Sequence, residues 1–188
     1  MIPPLPAGRF GTILMDPPWR FDDRGSRAAP DWKHARNGYE TLSLSEIAAI
    51  PVDAIALPDA HLYLWCTDSH LHEALHLIED WRFRYVHTLV WVKTTSSGRP
   101  ALGLGHYYRR SSELCLFAVR GHAPAKRHDL SNVILAPRGA HSAKPPLLHA
   151  LAERMSPAPR IELFARATRA SWTCWGAQCP QTETEAAP

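Results

Sequence analysis

Short apolar runs separated by polar, turn-forming stretches dominate this chain. Thr12-Ile13-Leu14-Met15, Leu62-Tyr63-Leu64-Trp65-Cys66, Tyr85 to Lys93, Glu113 to Val119 and Arg160 to Ala165 are rich in branched and aromatic residues and read as buried strands. Val133-Ile134-Leu135 and Ser171 to Trp175 add two shorter ones. Helical spacing appears between them. Ser43-Leu44-Ser45-Glu46 fits a capping box that opens a short helix ending before Pro51. From Asp68 or Ser69 to about Trp81, the residues Leu71, Ala74, Leu75 and Ile78 fall on one face. Lys144-Pro145-Pro146 opens a helix running through Met155, since proline is accepted in a first turn. Strands that alternate with helices predict an α/β open sheet of largely parallel strands, with ligands bound outside the strands' carboxyl ends. The pattern places one domain over residues 1–178 and a polar, acidic tail over 179–188.

One strand end departs from this pattern. Asp16-Pro17-Pro18-Trp19 follows the first apolar run directly, and proline cannot continue a ladder of sheet hydrogen bonds. The strand therefore stops there, and the carbonyls around Pro17 are expected to be free of sheet pairing. A carboxylate, free carbonyls and a flat ring on a rigid strand end suit one task. The exocyclic amine of a nucleobase is a poor nucleophile because its lone pair is delocalised into the ring. The Asp16 carboxylate and the Pro17 carbonyl could accept its two N–H bonds and favour the pyramidal form. Trp19 could stack on the base, which a duplex would have to extrude. The plainer alternative is a Pro-Pro turn with Trp19 in the core.

Composition bounds the rest. The chain has 188 residues, 45% of them hydrophobic and 21% charged, as a globular domain has, and a formal charge of +3 that is compatible with nucleic acid. No stretch is long and apolar enough to span a membrane, and the N-terminus has no signal-peptide pattern. Cys66, Cys115, Cys174 and Cys179 form no Cys-x-x-Cys pair and are expected as buried free thiols in a cytoplasmic protein.

Two long aperiodic stretches remain. Arg20 to Glu40 carries five basic residues with Trp32 and Tyr39, as a lid that meets phosphates and stacks bases would. Thr94 to Ser112 contains Gly103-Leu104-Gly105-His106-Tyr107-Tyr108-Arg109-Arg110. It lacks the third glycine and following helix of a dinucleotide fingerprint, and its aromatics beside paired arginines suit contact with nucleic acid better. His72 and His76 are four apart on a helix, but no third ligand is placed by sequence, so no metal is expected.

With these residues in view, the chain resembles the family of adenine-N(6) methyltransferases named after the eukaryotic mRNA-adenosine methylating subunit, in a bacterial or phage form. Asp16-Pro17-Pro18-Trp19 looks like its catalytic tetrapeptide, Leu62 to Lys93 like its central strand-helix-strand, and Gly105 to Gly121 like its second active-site loop and next strand. His141-Ser142-Ala143-Lys144-Pro145 resembles its helix start, and Arg160 to Arg166 (Arg-Ile-Glu-Leu-Phe-Ala-Arg) its cofactor-side strand. The resemblance implies a Rossmann-like S-adenosylmethionine-dependent fold, permuted so that the catalytic motif precedes the cofactor motif. It implies that Asp16, Pro17, Pro18 and Trp19 are catalytic. It further implies that Lys144 meets the methionine carboxylate and Glu162 the ribose hydroxyls, with Phe164, Arg166 and Gln178 lining the same pocket and Asp16 bordering it. Tyr39, His106, Tyr107, Arg109 and Arg110 would face the substrate. Gly176-Ala177-Gln178 stands where many relatives carry Gly-Asn-Gln, so one ribose contact is missing.

The expected activity is methylation of the adenine 6-amino group in nucleic acid, with DNA favoured over RNA because the chain is small. Target recognition would then fall to the two loops, a homodimer or a partner subunit. The competing expectations are a catalytically silent nucleic-acid-binding subunit and a methyltransferase for another amine such as cytosine-N(4).

Overall fold

Alternate residues of the central strands serve two different cores. Ile13, Met15, Leu62, Leu64, Ile161 and Leu163 join one apolar cluster, whereas Leu14, Tyr63 and Trp65 join a second on the opposite face of the sheet. Strands that are buried on both faces read as continuous apolar runs, which is why they stand out in the sequence. The computed structural model describes residues 4–20, 41–103, 105, 107–139 and 143–179. Its strands are β1 (Phe10–Met15), β2 (Ala56–Cys66), β3 (Arg84–Thr94), β4 (Ser112–Arg120), β5 (Val133–Pro137), β6 (Arg160–Leu163) and β7 (Thr173–Trp175). They form one sheet in the order β5-β3-β4-β2-β1-β6-β7. The helices among the described residues are α1 (Leu44–Ala48), α2 (Val52–Ile55), α3 (Leu71–Asp80) and α4 (Leu147–Met155). Ala74, Leu77 and Ile78 of α3 and Ile47 of α1 enter the first core, and Leu148 and Ala152 of α4 enter the second. A sheet with helices on both faces is a Rossmann-like α/β fold.

The sheet is largely parallel with one exception. β4 runs antiparallel to both β2 and β3, while the other neighbours pair in parallel. The stretch between β3 and β4 holds no helix among its described residues, so the chain folds back beside β3 instead of crossing over.

Other boundaries also moved. β2 begins at Ala56, six positions before its uniform apolar run. Pro58 and Asp59 disguise this start, and the register with β1 shifts between Phe10 and Thr12 to accommodate it. α2 is a single turn after Pro51, too short to leave a periodic signal. The third helix opens as a 3-10 turn at Asp68–His70, and α4 begins at Leu147, just past the two prolines. β6 stops at Leu163 because Phe164 has a left-handed backbone (φ 62°). The α1 capping box forms as expected: the Ser43 amide donates to Glu46 Oε2 at 2.7 Å, and the Glu46 amide donates to Ser43 Oγ at 3.3 Å.

Between β2 and α4 lies a closed polar chain. His61 is 1% exposed, and its Nε2 lies 3.2 Å from the Ala123 carbonyl oxygen. A carbonyl only accepts, so neutral His61 carries its proton on Nε2 and accepts at Nδ1 from Ser156 (2.8 Å). Ser156 in turn accepts from the Tyr63 hydroxyl (2.8 Å). Burial, with Lys126 nearby, pushes the His61 pKa below its ordinary 6.5. The unfolded chain therefore binds this proton first. The contribution of His61 to stability is complete above about pH 6.5 and is lost as pH falls toward its folded value. Urea unfolding across that range is expected to show declining stability, and His61→Gln should remove part of the slope. An identical slope in the variant would refute the assignment.

Candidate active site

β1 and β6 lie side by side and parallel, with Met15 opposite Leu163. From there the sheet grows in opposite directions, to β2 beyond β1 and to β7 beyond β6. At such a switch point a crevice opens outside the carboxyl ends of the strands. Asp16 continues β1 into it and Phe164 continues β6. The cavity there measures ≈ 210 Å³. Its walls include Asp16 to Trp19, the end of β2 with Thr67, Glu113, Lys144, Phe164 to Arg166, and Ala177 with Gln178.

A line of alternating charges crosses this crevice. Lys144 Nζ lies 2.7 and 2.8 Å from the two oxygens of Asp16 and 3.3 Å from Glu113 Oε2. Glu113 Oε1 meets Lys93 Nζ at 2.5 Å. The two ammonium groups rest 5.4 Å from the Trp65 ring centroid and 5.2 Å from that of Trp91. Burial pushes the Asp16 carboxyl above the ordinary carboxylate range, and Lys144 pulls it back only part of the way. For Glu113, burial acts upward too, but Lys144 and Lys93 outweigh it and the pKa falls. Burial alone would lower Lys144, yet its two carboxylates keep its pKa raised, so it is an ammonium at neutral pH. Glu113 carries no candidate role in the sequence. Its only signal there is a carboxylate heading an apolar run, and the reversed direction of β4 is what brings that head to the crevice.

The tetrapeptide is held more tightly than the sequence suggests. The Trp19 amide donates to the Pro17 carbonyl at 2.9 Å, and the Leu42 amide donates to the Pro18 carbonyl at 2.9 Å. The carbonyls around Pro17 are therefore not free. Each keeps one lone pair, because a carbonyl oxygen has two. Trp19 is 7% exposed, belongs to the first core, donates from Nε1 to the Trp65 carbonyl at 3.0 Å and stacks on His70 with ring centroids 5.0 Å apart. Its ring borders the crevice as a fixed wall. Burial pushes the Cys66 thiol in the same wall up to about 12, so it offers no thiolate nucleophile.

Opposite Asp16, the Phe164 ring meets Trp175 edge-on at 5.4 Å, and Gly176 closes against its backbone. A Cβ on Gly176 would lie 3.0 Å from Phe164 Cα and 3.0 Å from the Ala165 carbonyl oxygen, so glycine permits this approach. An ammonium (Lys144), a guanidinium (Arg166), an aromatic ring (Phe164) and a side-chain amide (Gln178) thus border one cavity. That set fits a zwitterionic, aromatic ligand such as S-adenosylmethionine. Glu162 does not join them. It points to the α4 face, where its Oε2 lies 2.8 Å from His149 Nε2.

The loop residues divide. Tyr107 is 97% exposed. Arg109 donates from Nε to the Gly103 carbonyl, and Arg110 donates to Ser69 Oγ at 2.9 Å and lies 3.9 Å from Asp68. Tyr39 and His106 lie outside the described residues, as do most of the Arg20–Glu40 stretch, His141 and Ser142. The His72 and His76 rings meet at 4.3 Å, and no metal-binding group of three or more ligands exists among the described residues. The cysteines correct one expectation. Cys66 and Cys115 are buried free thiols, but Cys174 and Cys179 form a disulfide across the 176–178 turn, their Cα atoms 6.1 Å apart. No helix among the described residues is long and apolar enough to cross a membrane.

Residues 10–178 match the MT-A70 family model. The type II methyltransferase M.MunI of a Mycoplasma species is 28% identical over 98% of this chain and 84% of its own length. The N6-methyladenosine RNA methyltransferase MTA1 of Cryphonectria parasitica is 32% identical over 89% of this chain and 51% of its own. The human N(6)-adenosine-methyltransferase catalytic subunit METTL3 is 29% identical over 85% of this chain and 26% of its own. The chain spans about a quarter of the length of the plant relatives it matches. A family match that starts at β1, ends at the turn after β7 and takes in both walls of the crevice leaves one assignment: the chain belongs to the MT-A70 family.

Proposed function

We propose that this protein transfers a methyl group from S-adenosylmethionine to the exocyclic 6-amino group of adenine in nucleic acid, with DNA the favoured substrate. The observation that carries the reading is the Asp16 carboxylate at the switch-point crevice, clamped by Lys144 and facing a wall suited to the cofactor. When bound, S-adenosylmethionine supplies an electrophilic methyl on a sulfonium.

The chain's own residues do the positioning. Asp16 accepts one N–H of the adenine amine, and the remaining lone pair of the Pro17 carbonyl accepts the other. These two bonds turn the nitrogen lone pair out of conjugation and toward the methyl. Trp19, fixed by Trp65 and His70, sets the floor on which the base rests. Lys144 keeps Asp16 ionised and aimed. The methylated nitrogen then sheds one proton, and Asp16, whose proton affinity burial raises, is the nearest acceptor. Lys144, Phe164, Arg166 and Gln178 hold the cofactor. DNA stays the favoured expectation from the sequence, and because one relative is named an RNA methyltransferase the test sets the two nucleic acids side by side.

Methyl-labelled S-adenosylmethionine offered with double-stranded DNA, single-stranded DNA and RNA tests this. Label recovered as 6-methyladenine supports the reading, and the substrate that carries it selects the nucleic acid. Label in cytosine, or none on any substrate, overturns it.

A further inference from the structure

The crevice continues past Glu113. Thr67 and Glu113 also form part of the wall of a second cavity of ≈ 530 Å³, bounded by Lys93, Trp91, Arg109, Arg110 and Arg138. Its charges do not balance. Lys93 is occupied by Glu113 at 2.5 Å, and Arg110 lies 3.9 Å from Asp68. Arg109 donates to the neutral Gly103 carbonyl, so its charge has no counter-ion among the described residues. Arg138, the first residue after β5, makes no hydrogen bond or ion pair with any described residue, and it is exposed on the cavity wall.

The Arg138 guanidinium lies close to the arginine loop. A Cβ built on Gly103 would come within 2.8 Å of Arg138 Nη2 and 2.4 Å of the Arg110 carbonyl oxygen. The clash with the Arg110 carbonyl is the one that requires glycine at 103, where the arginine loop closes on itself. Two guanidinium groups without counter-ions among the described residues thus face a cavity that shares Thr67 and Glu113 with the catalytic crevice. The second cavity's described wall carries Lys93, Arg109, Arg110 and Arg138 against Asp68 and Glu113, an excess of cation that favours an anion. Guanidinium forks match phosphate oxygens.

We propose that this second cavity binds the phosphodiester adjoining the extruded adenine, with Arg138 as its principal ligand and Arg109 beside it. This rests on the methyltransferase reading above. The base passes Glu113 into the catalytic crevice while its phosphate stays on the arginine side.

The test compares Arg138→Gln, Arg138→Lys and, as a control, Arg84→Gln at the opposite end of β3. Binding of a short adenine-containing single-stranded oligonucleotide is followed by anisotropy over a salt series. Adenosine and adenosine 5′-monophosphate serve as competitors, and cofactor affinity is measured by calorimetry. Arg138→Gln is expected to weaken the oligonucleotide about tenfold and to lower the slope of log affinity against log salt by about 0.7. It should also abolish the advantage of the monophosphate over adenosine and leave cofactor affinity unchanged. Arg138→Lys should keep the slope with part of the affinity lost. Wild-type affinity and slope in Arg138→Gln, or a loss no greater than that of Arg84→Gln, overturns the proposal. An unchanged monophosphate advantage overturns it too. Failure of the wild-type protein to bind any nucleic acid is a different result, because that removes the methyltransferase reading itself.

Discussion

Asp16→Asn is expected to reduce methyl transfer by about two orders of magnitude or more, the usual cost of removing one preorganised charged group from a reacting centre. The substitution preserves shape but replaces one acceptor oxygen by a donor, which would repel an amine N–H. The fold should survive, since Lys144 keeps Glu113 at 3.3 Å as a counter-ion. Steady-state transfer with the labelled cofactor reads the loss, and circular dichroism with calorimetric cofactor binding separates it from misfolding. Activity within a few-fold of wild type would show that Asp16 is not the group that orients the amine. The same reasoning sets the pH dependence. Because burial raises the Asp16 pKa, wild-type activity should decline as the solution is acidified toward that raised value.

Lys144→Met is expected to have the largest effect on stability. It leaves Asp16 and Glu113 in one partly buried site without the cation between them. Removing one partner from a buried ion pair costs about 3 kcal/mol or more, because the remaining charge is uncompensated. The sign of the pH dependence should reverse locally. In the native protein the Glu113 pKa is lowered, so its contribution is present above the unfolded value of 4.5 and is lost as pH falls below it. In the variant Asp16 loses its cation, and burial with repulsion from Glu113 pushes its carboxyl further up, while Glu113 keeps Lys93 at 2.5 Å. The folded state then binds protons more tightly than the unfolded chain, and the variant regains stability as pH falls. Chemical denaturation at neutral and mildly acidic pH checks this. A stability gap that stays constant with pH would mean that Lys144 does not hold the two carboxylates. Methyl transfer should be lost together with the pairing.

Some parts of this molecule are local and others are not. The strands β1 and β2 were legible because they are buried on both faces, so apolar side chains follow one another with little break. The helix faces of α1 and α3 were legible because 3.6-residue spacing and a capping box are written over a few neighbouring positions. Asp16-Pro17-Pro18-Trp19 announced itself because two prolines force a strand to stop and leave a carboxylate at its end.

The tertiary structure decided the rest, because pairing partners are chosen over long distances in the chain. The reversal of β4 depends on how the chain returns from β3, and it alone delivers Glu113 to Asp16 and Lys144. Trp19 reads equally well as a stacking ring or a core residue in sequence. Its bond to Trp65 and its contact with His70, a residue fifty-one positions away, make it a fixed wall. Glu162 looks like a cleft carboxylate by motif, yet strand alternation turns it toward α4 and His149. The disulfide between Cys174 and Cys179 and the approach of the Arg138 side chain to Gly103 likewise follow from tertiary geometry that no spacing rule encodes. Sequence by itself determined most of the elements, the doubly buried central strands and the carboxylate at the end of β1, since these depend on neighbours a few residues apart. Which charges meet in the crevice depends on strand order and direction, and only the folded sheet settles those.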